Sequence, residues 1–592
     1  MDNNNKITRQ IKQICGLALL GGVASSSALA ATTKSVSPVD VNITGAPKEL
    51  SENIKAFLPS LRTIDCASTQ ARIDRYIDAS SEKLLEGAEA LGYFESQATM
   101  TARRRGDCWV LDVKVKAGQV VRVDKVSIDL LGEGLGETAF QKLLTSLPYK
   151  TGDVLISQDY DDYKSKLKRT ANSLGFFDAE LTTHQILVNL RTHTADITLV
   201  FQTGDRYKIG AVSVDQELLA NKYIRRYINI REGEWFSSAE LIKQQRILEN
   251  SGYYKTVQVT SDYQKASNKM IPVGITTTKR KRYTYKGALG FATDDGAYFE
   301  TSMDTHWLNN KGHQLNLTAR LSQQDPSVGL NYKVPLWSPE HEFSNFSLGW
   351  ERSDNDDIRG TAFKAGFDYH RRNSSDWEQT ASLSYLNEET QVDGEDATRS
   401  YLTLLGVNVR KTKRDHALFP TKGWRLDVGI KGAAENILSD QSVLQGEIKG
   451  KRLHTFDHKG KLITQANLGY TLVGDFDEMP KSLRFFAGGQ NSVRGYSFES
   501  LGETDADGDL LGGKQLLTTS LEYEYPVYDK ISAAAFIDTG NAFDDWGNYT
   551  LNYGYGVGAR YKSPLGPIRA DFAVPHEDTS DLHFYFSLGP DL

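Results

Sequence analysis

Arg494 is the side chain of this 592-residue sequence best placed for a demanding electrostatic task, in the segment FFAGGQNSVRGYSFESLG from Phe485 to Gly502. Gly488 and Gly489 lie upstream, and Val493, Gly495 and Tyr496 flank the arginine, so the backbone there is free to take up φ > 0 and fold back into a confined space. A guanidinium taken out of water calls for a planar two-point acceptor. Such a group stands in AAAFIDTGNAF, where Asp538 lies on a strand-like run two positions before Gly540. From the loop alone, a surface turn with a solvated arginine is the plainer alternative. The elements around the two residues have to decide.

Bond-making chemistry finds little footing. HEFSN at His341 lacks the second histidine of a zinc helix, no GxSxG occurs, and the 11 histidines show no metal spacing. DADGD at Asp505 opens like a calcium loop, but Leu510 stands where that loop requires Gly and Leu516 where it requires Glu. Gly554, Gly556 and Gly558 recur with a period of two, which suits one smooth strand face better than a nucleotide-binding turn. The expectation is a non-enzymatic protein with no cofactor and no metal.

Composition narrows the class. Tyr (28) outnumbers Phe (24), Gly reaches 50 and Met only 5. A mean hydropathy of −0.45 argues against a bundle of membrane helices. The net charge of −7, with both signs mixed, provides no broad basic face, so nucleic acid is not an expected partner. At the N-terminus Lys6, Arg9 and Lys12 precede the apolar run Ile14 to Ala24 and then SSSALA. This pattern reads as a secretory signal peptide over residues 1–30, cut after Ala30, because the run is too short for a membrane anchor. Beyond it remain Cys66 and Cys108, an even pair in an exported chain and hence an expected disulfide, with two buried thiols as the alternative.

Three internal repeats follow. ALGYFES at Ala90, SLGFFDA at Ser173 and NSGYYKT at Asn250 recur about 80 residues apart, each closing a helical segment with a glycine (Gly92, Gly175, Gly252). Alternating segments such as WVLDVKV, ADITLVF and YKIGAVSVD complete units with the order strand, two helices, two strands. After Lys279 to Arg282 the helical periodicity stops. About sixteen alternating segments follow, each with its connection occupying roughly 20 residues, as membrane-spanning strands require. Tight turns such as NNKG (309–312), SPEH (338–341) and YDK (528–530) alternate with longer acidic stretches at 353–360, 387–400, 433–440 and 476–514. Such sorting fits an outer-membrane barrel and has no reason to arise in a soluble sandwich.

The β-α-α-β-β repeats, the VRGY loop with its upstream FFAGG, FIDTGNAF and GYGVGARYKSPLGPIRADFA together resemble the Omp85 superfamily. The resemblance implies an α+β periplasmic arm of three POTRA domains (36–117, 119–203 and 205–279) followed by an all-β, 16-stranded antiparallel transmembrane barrel (280–592). It implies a bacterial outer-membrane location with the repeats in the periplasm, and a lumenal pair of Arg494 with Asp538. It further implies a lateral seam between a first strand near Tyr283 to Phe291, with Tyr285, Gly287 and Phe291, and a last strand from Leu582 to Gly589, with Phe584, Phe586 and Gly589. Gly589 and Pro590 are expected to shorten that final edge. The implied partners are outer-membrane lipid, unfolded β-barrel or autotransporter clients, and an inner-membrane-anchored, periplasm-spanning protein reached through the repeats. A passive or substrate-specific pore is the rival function, alongside family members with other repeat counts, such as BamA-like proteins and two-partner secretion transporters.

Overall fold

The computed structural model describes residues 39–292, 296–322, 325–354, 358–392, 396–457, 459–506, 508–564 and 566–589. The expected signal peptide and Pro590 lie outside the described residues. Two compact units result, one holding the first two repeats and one holding the third repeat with the barrel.

In the first repeat, strand Asp40–Thr44 pairs in parallel with Cys108–Lys116, which pairs on its other side antiparallel with Gln97–Arg105. Helices Lys48–Phe57 and Gln70–Glu89 cover this sheet. Ile73, Tyr76, Ser80, Leu84 and Ala88 recur at spacings of three and four along the longer helix, so all five turn inward on one stripe. Cys66 and Cys108 are joined, with their Cα atoms 4.2 Å apart, and the neighbouring Trp109 donates its indole N–H to the Ser68 carbonyl at 2.9 Å. The second repeat follows the same order from Arg122–Leu131 to Thr194–Gln202, and the third from Lys208–Asp215 to Met270–Lys279. Gly92, Gly175 and Gly252 end their helices at φ of 86°, 92° and 83°, a conformation a Cβ would penalise.

The barrel is one 16-stranded sheet, its strands numbered here β1 (Tyr283–Ala292) to β16 (His583–Leu588) and each paired antiparallel with its sequence neighbour. Along β12 (Gln515–Pro526), Leu521, Tyr523 and Tyr525 face out while Glu522 and Glu524 are buried inside, so the period of two sorts lipid from lumen. Two of the stretches read as acidic loops are mostly strand. β5 (Glu342–Asp354), β6 (Ile358–Arg372), β7 (Glu378–Val392) and β8 (Thr398–Arg414) run through them, leaving connections of only 355–357 and 393–397. Above the bilayer an outward face meets water, so a strand there needs no apolar side chains. Charged pairs hold it instead, as Arg359 and Arg352 do on Asp354 at 2.8 and 3.1 Å. The last strand is also shorter than expected, beginning at His583 rather than Leu582 and ending at Leu588. Among the described residues no ladder register joins β1 to β16, although their Cα atoms approach within 8 Å.

The third repeat is seated on the turn between β2 (Gly296–Thr305) and β3 (Gln314–Leu321). Tyr253, fully buried, donates to the Gly312 carbonyl at 2.6 Å and lies 3.0 Å from the Tyr227 hydroxyl. The Ala220 N–H reaches the Asn310 carbonyl at 3.0 Å, and Gln314 donates to the Ser251 carbonyl at 3.1 Å. Arg226 stacks between Tyr223 and Trp337 and donates to the Leu336 carbonyl at 3.0 Å.

Two predictions follow from this packing. A loop spanning 42 residues closed by the Cys66–Cys108 bridge is worth about 4 kcal/mol in the chain-entropy model. Cys66→Ala should therefore lower the unfolding midpoint of the first repeat, while thiol titration of the unreduced protein should find neither cysteine free; a full thiol count would overturn the bridge. Burial pushes the Tyr253 phenol far above its usual value and Tyr227 up to about 12. Both groups are therefore neutral in the folded protein, their contribution is whole below about pH 10, and it falls as pH rises beyond that value. Tyr253→Phe should cost about 1–3 kcal/mol at neutral pH by leaving the Gly312 carbonyl unpaired. It should also flatten the alkaline loss of stability of the third repeat, measured by thermal unfolding between pH 8 and 11.

Candidate functional site: a charged cluster in the barrel lumen

The connection between β11 (Lys461–Val473) and β12 does not stay outside the barrel. Gly488, Gly489 and Gly495 take φ of 101°, 89° and 102°, and the chain turns back between them. Val493 becomes fully buried against Phe485, Ala487, Leu516 and Ala542. Arg494 thereby points at the lumenal wall, 6% exposed.

Its guanidinium is saturated. Nε donates to Asp538 Oδ2 at 2.7 Å and Nη2 to Asp538 Oδ1 at 3.0 Å, a bidentate fork, and the Arg494 backbone N–H adds a third bond to the same carboxylate at 3.1 Å. Nη1 reaches Glu522 at 2.8 Å and Asp571 at 3.3 Å, while Nη2 also donates to Ser520 at 3.3 Å. Its Cζ lies 3.4 Å from the centroid of the Phe536 ring. Structure thus brings the two sequence-selected residues together and adds partners. Arg560 donates to Glu522 at 2.6 Å, to Glu524 at 3.3 Å and to Asp571, and Lys461 closes on Glu524 at 2.6 Å. Three cations and four carboxylates share one desolvated patch, where each charge is tolerated because its neighbours compensate it.

Strand register explains how they meet. Glu522 and Glu524 come from β12, Asp538 from β13 (Ile531–Phe543), Arg560 from β14 (Asn552–Ser563) and Asp571 from β15 (Gly566–Pro575). Gly554 is paired opposite Asp538 and Gly558 opposite Asp571. A Cβ at Gly554 would collide with the Arg494 carbonyl, and one at Gly558 with the Asp571 carboxylate. The smooth glycine face is therefore the surface on which the loop rests.

Tyr585 on β16 escaped the sequence reading. It is 2% exposed, accepts from the Gly495 N–H at 3.0 Å and donates to the Tyr496 carbonyl at 2.7 Å. The period of two could have found it, since Phe584 and Phe586 on either side face outward. Of the other seam residues, Tyr285 is exposed, Gly287 pairs with Thr301 and Phe291 with Ala297, and the Phe291 side chain lies outside the described residues. Gly589, at φ 146°, still donates to the Pro567 carbonyl at 3.0 Å. Asp505 forms a turn by accepting from the Asp509 N–H at 2.8 Å, and among the described residues no carboxylate, histidine or cysteine cluster is arranged for a metal.

A transmembrane β-barrel with an inward loop arginine and an N-terminal arm of β-α-α-β-β repeats defines a class, and comparison gives its family. Residues 308–591 match the Omp85 superfamily domain, residues 40–117 match "POTRA domain TamA domain 1", and residues 207–278 match the POTRA repeat described as "Surface antigen variable number repeat". The chain belongs to the Omp85 superfamily, and its place is the bacterial outer membrane with the repeats in the periplasm. It is 21% identical to outer membrane protein assembly factor BamA of Neisseria meningitidis, with 86% of this chain and 72% of that protein covered. It is also 21% identical to BamA of Nitratidesulfovibrio vulgaris, covering 74% of this chain and 57% of that one. The solved BamA of Haemophilus ducreyi lacking POTRA domains 1–3 shares the fold with a TM-score of 0.63 at 18% identity, over 79% of this chain and 99% of that structure.

Removing one member of such a cluster exposes the rest. Arg494→Ala should destabilise the folded barrel by about 3–5 kcal/mol, and Arg494→Lys should recover only part of that, having lost the planar fork. In a double-mutant cycle with Asp538→Ala, heat resistance of the barrel should show a non-additive term of about 0.5–3 kcal/mol. Simple additivity would mean that the loop is held by its other contacts alone.

Proposed function

We propose that this Omp85-family assembly or secretion factor inserts or exports β-barrel clients, autotransporters among them, as a TamA-type subunit working with a TamB-like, inner-membrane-anchored partner bound through its repeats. The observation that carries the reading is the seam: β1 and β16 are neighbours in space without a ladder between them. An unpaired strand edge in lipid costs several kcal/mol per unsatisfied group, so these edges favour an incoming strand. The match of the first repeat to a TamA-type POTRA domain supports the choice within the family. The work done is strand pairing, with no bond made or broken, and the lumenal cluster serves to brace the wall beside the seam.

The test is a locked seam. Cysteines at Gly287 and Phe586 should, once oxidised to completeness, abolish client insertion into vesicles by the purified protein, and reduction should restore it. Full activity of the locked protein would exclude lateral opening. Deletion of residues 36–279 separates this reading from a passive pore, which would keep its conductance, whereas client insertion should be lost.

A further inference from the structure

The turn that seats the third repeat fixes which end of the barrel faces the periplasm, and at that end the lumen holds a cavity of about 590 Å³ that the lumenal cluster does not fill. Its size falls in the range of about 300–1,000 Å³ typical of ligand sites. Four periplasmic turns surround it. Phe419 comes from the turn after β8, Phe456 from that after β10 (Val443–Thr455) and Tyr528 from that after β12. Tyr528 is 72% exposed and Phe456 40% exposed, a large aromatic surface on a soluble-facing rim. Pro420, Pro526 and Pro567 contribute walls with no N–H to donate.

The charges sort into two groups. On the floor, Arg560 and Lys461 are consumed by Glu522, Glu524 and Asp571. At the sides, Lys459 and Lys562 have no carboxylate partner among the described residues, and the single acid facing them across the cavity is Asp529. At the side walls the balance is cationic by one charge, beside aromatic rings, while the floor cluster holds one carboxylate more than its cations. An occupant must therefore present apolar or aromatic groups next to carboxylates.

We propose that this vestibule docks an extended segment of an unfolded chain carrying alternating aromatic and acidic side chains. A peptide is favoured over a lipid by location. Inward-facing residues of the strand wall line the cavity, so a lipid would have to leave the bilayer to reach it, whereas an unfolded periplasmic chain meets its opening directly. The lysines fix the acidic side chains, and the rings take the apolar ones. Only the source of that chain rests on the function proposed above; peptide binding itself does not.

The full chain in lipid nanodiscs should bind a fluorescein-labelled hexapeptide of alternating phenylalanine and glutamate at least tenfold more tightly than its counterpart with lysine for glutamate, by fluorescence anisotropy. Lys459→Glu combined with Lys562→Glu should invert the preference, while heat-modifiable gel mobility reports whether the barrel is intact. Should that variant misfold, Tyr528→Ala in the wild-type charge background should still lower affinity severalfold. Equal binding of the two peptides, an unchanged preference in the folded charge variant, or displacement by lauric acid at lower concentration than by unlabelled peptide would each overturn the proposal, the last by assigning the cavity to an amphiphile. Loss of peptide binding with seam-dependent insertion intact would sink this inference alone, and the reverse result would sink only the seam.

Discussion

A guanidinium buried among carboxylates cannot be left half assembled. Arg494 without its acids would be a desolvated cation, and Glu522, Asp538 and Asp571 without the arginine would crowd like charges inside a wall with little water, each case costing several kcal/mol. The cluster therefore acts as a single unit, and its demands propagate. The loop must enter the lumen, which requires φ > 0 at Gly488, Gly489 and Gly495; β14 must be bare where the loop passes, which requires Gly554 and Gly558. Phe536 has to place its ring against the cation. Each of these local choices is poor for a generic strand or loop and sensible only given the others.

How far the sequence disclosed this follows from how each signal is encoded. The repeats were legible because helix period and terminal glycine recur together, and the barrel because polarity alternates over many segments. Arg494 and Asp538 stood out because each occupies an anomalous context, a bulky cation in a glycine-rich loop and an acid in an apolar run. Glu522, Glu524, Arg560 and Asp571 did not, since every lumenal position of a barrel strand is expected to be polar and a charge there carries no distinguishing mark. Only the register, Ser520 opposite Asp538 and Gly558 opposite Asp571, turns scattered wall charges into a site. The misread loops between β5 and β8 have the same origin. Alternation of apolar with polar residues marks a strand only where one face meets lipid, and it vanishes where a strand rises into water.

The extracellular end shows that burial and polarity are not opposed in this barrel. Lys481, 4% exposed, is held by the Ile358 carbonyl at 2.9 Å and Ser353 at 3.2 Å, while Ser482 donates its N–H to Glu388 at 3.0 Å. Beside them Leu402, Leu404, Met479 and Leu483 form a small apolar core inside the wall. The connection from 474 to 514 is thus fastened twice, by hydrophobic packing and capped polar groups near β6 to β8 and by the arginine cluster near β12 to β15. Two anchors on opposite arcs of the wall divide the long connection into shorter loops, and the entropy each closure costs grows only slowly with loop length, so the contacts at each anchor can offset it.

These anchors bear on the seam because each edge strand is restrained from outside the sheet. The edge at β16 is tied through Tyr585 to the backbone of Gly495 and Tyr496, and so to the arginine cluster. The edge at β1 continues directly from the third repeat, with the Arg280 N–H on the Tyr253 carbonyl at 2.9 Å and Arg282 donating to the Trp307 and Leu308 carbonyls at 3.2 and 3.1 Å. A closed barrel ordinarily holds its first and last strands together by the ladder between them, as every other pair here is held. Where that ladder is missing, position must come from behind, and in this chain it comes from a buried tyrosine on one side and a half-buried arginine, Arg282, on the other. Edges placed in this way stay in register with their own neighbours whether or not a third strand lies between them, which a seam maintained only by mutual pairing could not do.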